Sequence, residues 1–236
     1  MPATNSETVD RILDAALMHV PFDGWSEASF RAAVSDAGVD KAEAEALFPR
    51  GAVDLALAFH RRGDAAMVKA LKAADLSAMR FRDRVAYAIR LRLELVEADK
   101  ETVRRGMTLF ALPMNAGDGA KALWETADAI WTALGDSSDD LNWYTKRATL
   151  SGVYSATVLY WLGDQSVDHS ATWSFIDRRI DEVMQIETMK KKVRENKLLK
   201  PFLAGPEWLA SQIKAPSRMA PRDMPGSWTA PDARES

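Results

Sequence analysis

The chain contains no cysteine among its 236 residues. That absence excludes disulfides, thiolate metal sites and cysteine nucleophiles, and it suits a reducing compartment. Histidines are few: His19, His60 and His169 stand far apart with no carboxylate at metal-ligand spacing. Each therefore reads as a helix-surface or half-buried side chain, and no metal site is expected. A glycine-rich phosphate loop, a nucleophile elbow and the Glu-x-x-His pairs of di-iron bundles are missing too. The acid pairs Asp139 with Asp140 and Asp177 with Asp181 read as a cap and an exposed helix face. No catalytic residue, no cofactor and no enzymatic activity are expected.

No long membrane-spanning run is present either. The sixteen residues between Arg147 and Asp164, ATLSGVYSATVLYWLG, carry no formal charge, but a spanning helix needs about 20 predominantly apolar residues. With Ser151, Ser155 and Thr157 inside it, this run predicts a core helix buried on all sides. The first residues, MPATNSETVDRILDAAL, hold Glu7, Asp10 and Asp14 and no apolar segment flanked by positive charge. Neither a secretory signal nor a basic transit peptide is readable there, and the predicted location is the bacterial cytoplasm, peripheral on the inner face of the membrane. The formal net charge is only −3, yet it is unevenly spread: residues 190–200 hold six Lys or Arg against one Glu, which leaves −8 on the rest.

What the chain does have is helical periodicity. Apolar positions recur every three or four residues at Ile12, Ala15, Ala16 and His19, then Phe81, Val85, Ile89, Leu93 and Val96, then Leu123, Trp124, Ala127, Ile130, Trp131 and Leu134. Breakers fall at Pro21 with Gly24, Gly38, Pro49 to Gly51, Pro113 to Gly119, Gly135 to Asp140, Gly163 to Asp168 and Pro201 to Pro206. About nine or ten helices follow, with Asp140 and Asp168 as N-caps of the last two long ones. The expected organisation is an N-terminal region over residues 1–62, a helical ligand domain over 63–200, a short amphipathic segment over 201–214 and a disordered, proline-rich tail over 215–236.

Residues 7–48 carry a more particular pattern. A first helix containing ILDAAL leads to Gly24-Trp25, a second helix, the turn Asp36-Ala37-Gly38-Val39, and a short third helix ending at Phe48-Pro49. This resembles the helix-turn-helix of the TetR family, and it implies an all-α, TetR-like fold with a larger C-terminal ligand domain. The chemistry of the reading helix does not follow. It offers Asp40, Lys41, Glu43 and Glu45, and residues 1–62 hold six basic against ten acidic groups, a net of −4. Phosphate neutralisation supplies a large share of DNA affinity, so such a helix-turn-helix reads as vestigial, a scaffold with no nucleic acid partner. A TetR-type, ligand-responsive transcription regulator is the alternative.

A second resemblance covers residues 7–195. The block DSSDDLNWYTKRATLSGVYSATVLYWLGDQS from Asp136 to Ser166, preceded by LFALPMN and followed by ATWSFIDRRIDEVM, is similar to the Coq nine family, the lipid-binding accessory proteins of ubiquinone biosynthesis. The Asn-Trp-Tyr-Thr run before Lys146 and Arg147 is its most specific piece. The resemblance implies a non-enzymatic protein that holds an isoprenoid quinone intermediate or a phospholipid between its C-terminal helices. It implies presentation of that lipid to a di-iron hydroxylase docked around Trp143 and Tyr144, with Asp136 and Arg147 nearby. Trp and Tyr next to Arg are also the side chains enriched at interface hot spots, although the same pair could seal the end of a core.

The lipid-lining candidates are Leu123, Trp124, Ala127, Ile130, Trp131, Val153, Tyr154, Leu159, Tyr160, Phe175 and Ile180. They fit either a plain core or, if the helices splay, an apolar chamber. Membrane-surface contact is assigned to Lys190, Lys191 and Lys192 with Phe202, Trp208, Leu209 and Ile213, the competing reading being a solvated basic helix end. A homodimer is expected by analogy of fold.

Overall fold

Local chemistry sets the N-terminal helices. In this computed structural model, which describes residues 5–139 and 141–195, α1 runs Asn5–Asp23, α2 Glu27–Asp36 and α3 Lys41–Leu47. Ser26 and Ser29 cap α2 reciprocally, each backbone N–H donating to the other's hydroxyl at 3.0 and 3.2 Å. Its other end closes with Gly38 N–H donating to Ser35 O and Val39 N–H to Val34 O, at 3.1 and 3.2 Å. That double bond needs a left-handed residue at Gly38, whose φ is +61°. Asp40 then caps α3 by accepting from the N–H groups of Ala42 and Glu43. Pro21, expected to break α1, lies inside its last turn, and the helix ends two residues later at Asp23.

The remaining described elements are α4 (Ala52–Ala73), α5 (Phe81–Glu94), a 3₁₀ turn (Glu97–Asp99), α6 (Lys100–Phe110), α7 (Ala116–Ala133), α8 (Leu141–Gly163), a second 3₁₀ turn (Val167–His169) and α9 (Ser170–Glu195). No strand occurs among the described residues, as the sequence predicted. The break expected over Pro113 to Gly119 is shorter than its composition suggests, since α7 already contains Gly117 and Gly119. α4 runs through residue 62, where the N-terminal region was expected to end, and packs on α1, α2, α5 and α7. α8 lies between α7 and α9. One continuous apolar core extends from Ile12 on α1 to Ile180 on α9.

Two expectations about α8 and α9 are corrected. The uncharged helix is not hidden on all sides. Its buried stripe is Arg147, Leu150, Val153, Tyr154, Thr157, Val158, Trp161 and Leu162, while Ala148, Thr149, Gly152, Leu159 and Tyr160 face outward. Lack of charge selects small and aromatic residues here and does not report burial. Asp168 is not the N-cap of α9 either. Asp164 and Ser166 take that role, accepting from the N–H groups of Thr172 and Ala171 at 2.9 and 3.0 Å. Burial alone would raise the Asp164 carboxyl, but hydrogen bonds from Thr172 and Ser166 outweigh it and hold the group well below the usual carboxylate range. The expected N-cap Asp140 and residues 196–236 lie outside the described residues.

Asp168 and His169 instead both adopt left-handed backbone, with φ of 51° and 53°. Such a conformation costs an L-residue about 1 kcal/mol, least for Asp and most for β-branched side chains. Replacing exposed Asp168 by Val is therefore expected to lower stability by about 1–2 kcal/mol, whereas Asp168→Gly should be near neutral. Thermal melts of the two variants compare them directly, and equal midpoints would remove the strain argument.

Candidate functional site

The first turns of α8 place the Asn-Trp-Tyr-Thr run on two faces at once. Asn142, Thr145, Lys146, Thr149, Leu150 and Val153 follow the i, i+3, i+4, i+7 spacing of a single helix face. That face closes a cavity of about 270 Å³ with Phe81, Arg82 and Val85 of α5, Trp131 of α7, and Ile180 and Val183 of α9. Phe81 stacks on Trp131 with ring centroids 5.5 Å apart, and Trp131 Nε1 donates to Lys146 O at 3.1 Å. The walls are predominantly apolar. Both cations at the cavity are already paired, Lys146 with Asp136 at 2.8 Å and Arg82 with Asp181.

The adjoining face of the same turns carries Trp143, Tyr144 and Arg147. Trp143 meets Tyr144 edge to face at 4.8 Å, and Trp124 of α7 joins them at 5.8 and 6.3 Å. All three rings are half-buried. Beneath them the Arg147 guanidinium lies 4.0 Å from the Trp143 ring, and it donates to Asp128 at 2.5 Å, Asp136 at 3.0 Å and the Trp143 carbonyl at 3.1 Å. Burial alone would raise Asp136, but hydrogen bonds from Lys146, Ser138 and Arg147 hold it at about 2. The Arg147 and Asp136 side chains are 0% and 3% exposed. These two, expected near a docking surface, lie beneath the aromatic cluster and fix the helix start.

The lipid-lining candidates divide into five groups. Trp131, Val153 and Ile180 line the cavity just described. Leu123 and Tyr154 line a separate interior chamber. Ala127 and Ile130 are fully buried in solid core. Leu159 and Tyr160 lie on the outer face of α8, where Tyr160 stacks on Phe175 at 4.5 Å, and Trp124 belongs to the aromatic cluster. Lining residues that sequence reasoning missed include Phe81, Val85 and Val183. Their periodicity was visible, but periodicity does not separate a cavity wall from a core. Of the membrane candidates, Lys190, Lys191 and Lys192 fall in the last turns of α9, with side chains outside the described set. Phe202, Trp208, Leu209 and Ile213 lie beyond the described residues. No helix among the described residues is long and apolar enough to cross a membrane.

Among solved structures, the TetR transcriptional regulator from Nitrosomonas europaea ATCC 19718 matches with a TM-score of 0.61 at 18% identity, covering 75% of this chain and 97% of that one. Likeness at that identity is one of fold: the chain is an all-α, TetR-like protein. Its residues 116–187, from α7 into α9, match the profile of the COQ9 family. The ubiquinone biosynthesis protein COQ9, mitochondrial, of Drosophila melanogaster is 33% identical over 183 residues, 76% of this chain and 56% of that protein. Its counterparts in Xenopus tropicalis and Homo sapiens are 34% and 29% identical, each over 78% of this chain and 60% of their own length. The chain belongs to the COQ9 family, and it spans about three-fifths of the length of these relatives. All three are named as mitochondrial, which overturns the expected placement in the bacterial cytoplasm at the inner membrane face. The acidic N-terminal residues that suggested it do not distinguish one compartment from another.

Proposed function

We propose that this chain is a non-catalytic, lipid-binding accessory protein of ubiquinone biosynthesis. It holds an isoprenoid quinone intermediate in the cavity between α5, α7, α8 and α9 and presents it to a di-iron hydroxylase at the aromatic cluster. The observation that carries this reading is the shared helix turn: Asn142, Thr145 and Lys146 wall the cavity, while Trp143 and Tyr144 of the same turn stand at the half-exposed cluster. A partner gripping those rings would sit one turn of helix from the bound lipid. The cavity, at about 270 Å³, is just under the roughly 300–1,000 Å³ of common ligand sites. It suits a substituted ring with its first prenyl units, and a long tail would extend beyond it.

Transcriptional regulation is the less fitting role because Asp36, Asp40, Glu43 and Glu45 are all exposed around the third helix, where a DNA reader needs positive charge. The lipid reading is tested by mass spectrometry of lipids extracted from the purified protein. Val153→Trp should fill the cavity, lowering the co-purifying prenyl lipid at least tenfold while the thermal midpoint holds or rises. An undiminished lipid load in that variant would put the ligand elsewhere, and a wild-type protein without lipid would end the carrier reading.

A further inference from the structure

A second chamber lies between α4, α5, α6, α7 and α8 and shares no lining residue with the cavity above. Its inner part, about 60 Å³, is bordered by Trp25, Phe59, Arg92, Leu93, Tyr154 and Val158. Its outer part, about 290 Å³, is bordered by Ala116, Gly119 and Ala120 of α7. The two meet at His60, Met107, Phe110 and Leu123. An empty space of 150 Å³ is enough for a benzene-sized ring.

The polar groups at the inner end are arranged unequally. Asp64 accepts from Arg92 Nε at 2.7 Å and from Thr126 Oγ1 at 3.0 Å. His60 Nε2 lies 2.7 Å from Thr126 Oγ1, and Arg92 Nη2 donates to the His60 carbonyl at 3.1 Å. Thr126 gives its only proton to Asp64, so His60 Nε2 is the donor to Thr126. Arg92 lies flat on α4 because residue 63 is glycine: a Cβ there would stand 2.5 Å from the guanidinium.

This network satisfies Asp64 and Thr126 but not the groups that border the chamber. Only two of the five guanidinium N–H groups are used. Tyr154, 3% exposed, lines the chamber, and its hydroxyl makes no hydrogen bond among the described residues. Arg92 and Tyr154 both line the chamber, so their unused donors are open to an occupant's acceptor. Net charge there is nil. Asp64 offsets Arg92, and burial, with Arg92 adding to it and Asp64 opposing, keeps the imidazole of His60 below its usual range.

We propose that this chamber binds a small, uncharged aryl carbonyl compound, its ring among Phe59, Met107, Phe110 and Leu123 and its oxygen accepting from Arg92 and Tyr154. A neutral site rejects a second anion, and unspent donors select an acceptor over a bare hydrocarbon.

Acetophenone, toluene and benzoate, matched in ring size, separate these terms when titrated into the purified full chain. Isothermal titration should give acetophenone an affinity at least tenfold above that for toluene and for benzoate. Its amide shift changes should fall on Gly63, Met107 and Leu123. Tyr154→Phe keeps the ring and removes the donor, so it should weaken acetophenone about fivefold and leave toluene unchanged. Binding no tighter than toluene, tighter binding of benzoate, or an unaltered acetophenone affinity in Tyr154→Phe would overturn the proposal. So would shift changes centred on Val85 and Val183, which belong to the other cavity. Loss of lipid binding at Val153 with these results intact would leave this chamber standing alone.

Discussion

Asp136→Asn is expected to destabilise the protein by about 3 kcal/mol at neutral pH, the cost of stripping a partner from a buried ion pair. Arg147 is fully buried, and of its two carboxylates Asp136 is 3% exposed whereas Asp128 is 43% exposed and well solvated. Asparagine keeps the shape and removes the charge that the guanidinium needs. At this chain length, that loss lowers the melting midpoint by about 6–12 °C. The effect depends on pH. The folded-state carboxyl titrates at about 2, against about 3.9 in an unfolded chain. A depressed carboxyl stabilises the fold fully above pH 4, and that contribution is lost as pH falls through the folded value. The gap between wild type and Asp136→Asn should therefore be largest at pH 7 and narrow from about pH 4 towards pH 2. Urea melts at pH 7, 4 and 3 measure it, and a gap below 1 kcal/mol at pH 7 would show that Asp128 alone sustains Arg147. Joint replacement by Asp136→Leu and Arg147→Met should recover part of the loss, because no uncompensated buried charge remains.

That pair also marks where sequence reading reached its limit. The turn from Asp36 to Val39 was legible because it is a local hydrogen-bonding device complete within six residues. The beginning and end of α8 were legible from breakers at Gly135 and Gly163 for the same reason. Arg147 and Asp136 are eleven residues apart, and nothing in their neighbours signals that a charged pair goes inside. Its burial depends on Trp143 folding over the guanidinium and on Asp128 arriving from α7. Trp124 was assigned to the lipid wall on similar grounds. Its spacing with Ala127, Ile130 and Trp131 gives one stripe, but a stripe about 100° wide or more can touch a core at its centre and two different sites at its edges. Trp131 reaches the cavity and Trp124 the aromatic cluster, while Ile130 between them is core. The cavity itself joins four helices from residue 81 to residue 183, and its existence depends on how those helices diverge.

Trp124 provides the sharper test of docking. On the proposed function, Trp124→Ala is expected to weaken binding of a di-iron hydroxylase partner at least 30-fold, the effect of about 2 kcal/mol at a hot-spot aromatic. Trp124 contacts both Trp143 and Tyr144, so its removal leaves a gap in the rigid, half-exposed surface a partner would bury. It does not line the cavity, and the load of co-purified lipid should stay within twofold of wild type. A variant at the proposed docking surface thus separates from one in the cavity: Val153→Trp is expected to lose lipid and Trp124→Ala to lose the partner. Tyr160→Ala serves as the comparison, since Tyr160 is also an exposed aromatic on α8 but lies sixteen residues from Tyr144, about 24 Å along the helix. Surface plasmon resonance with the hydroxylase should find Tyr160→Ala close to wild type. If Trp124→Ala binds within threefold of wild type, or Tyr160→Ala is impaired as severely, the docking surface is not at the start of α8, and Trp143 and Tyr144 serve only to close the core over Arg147.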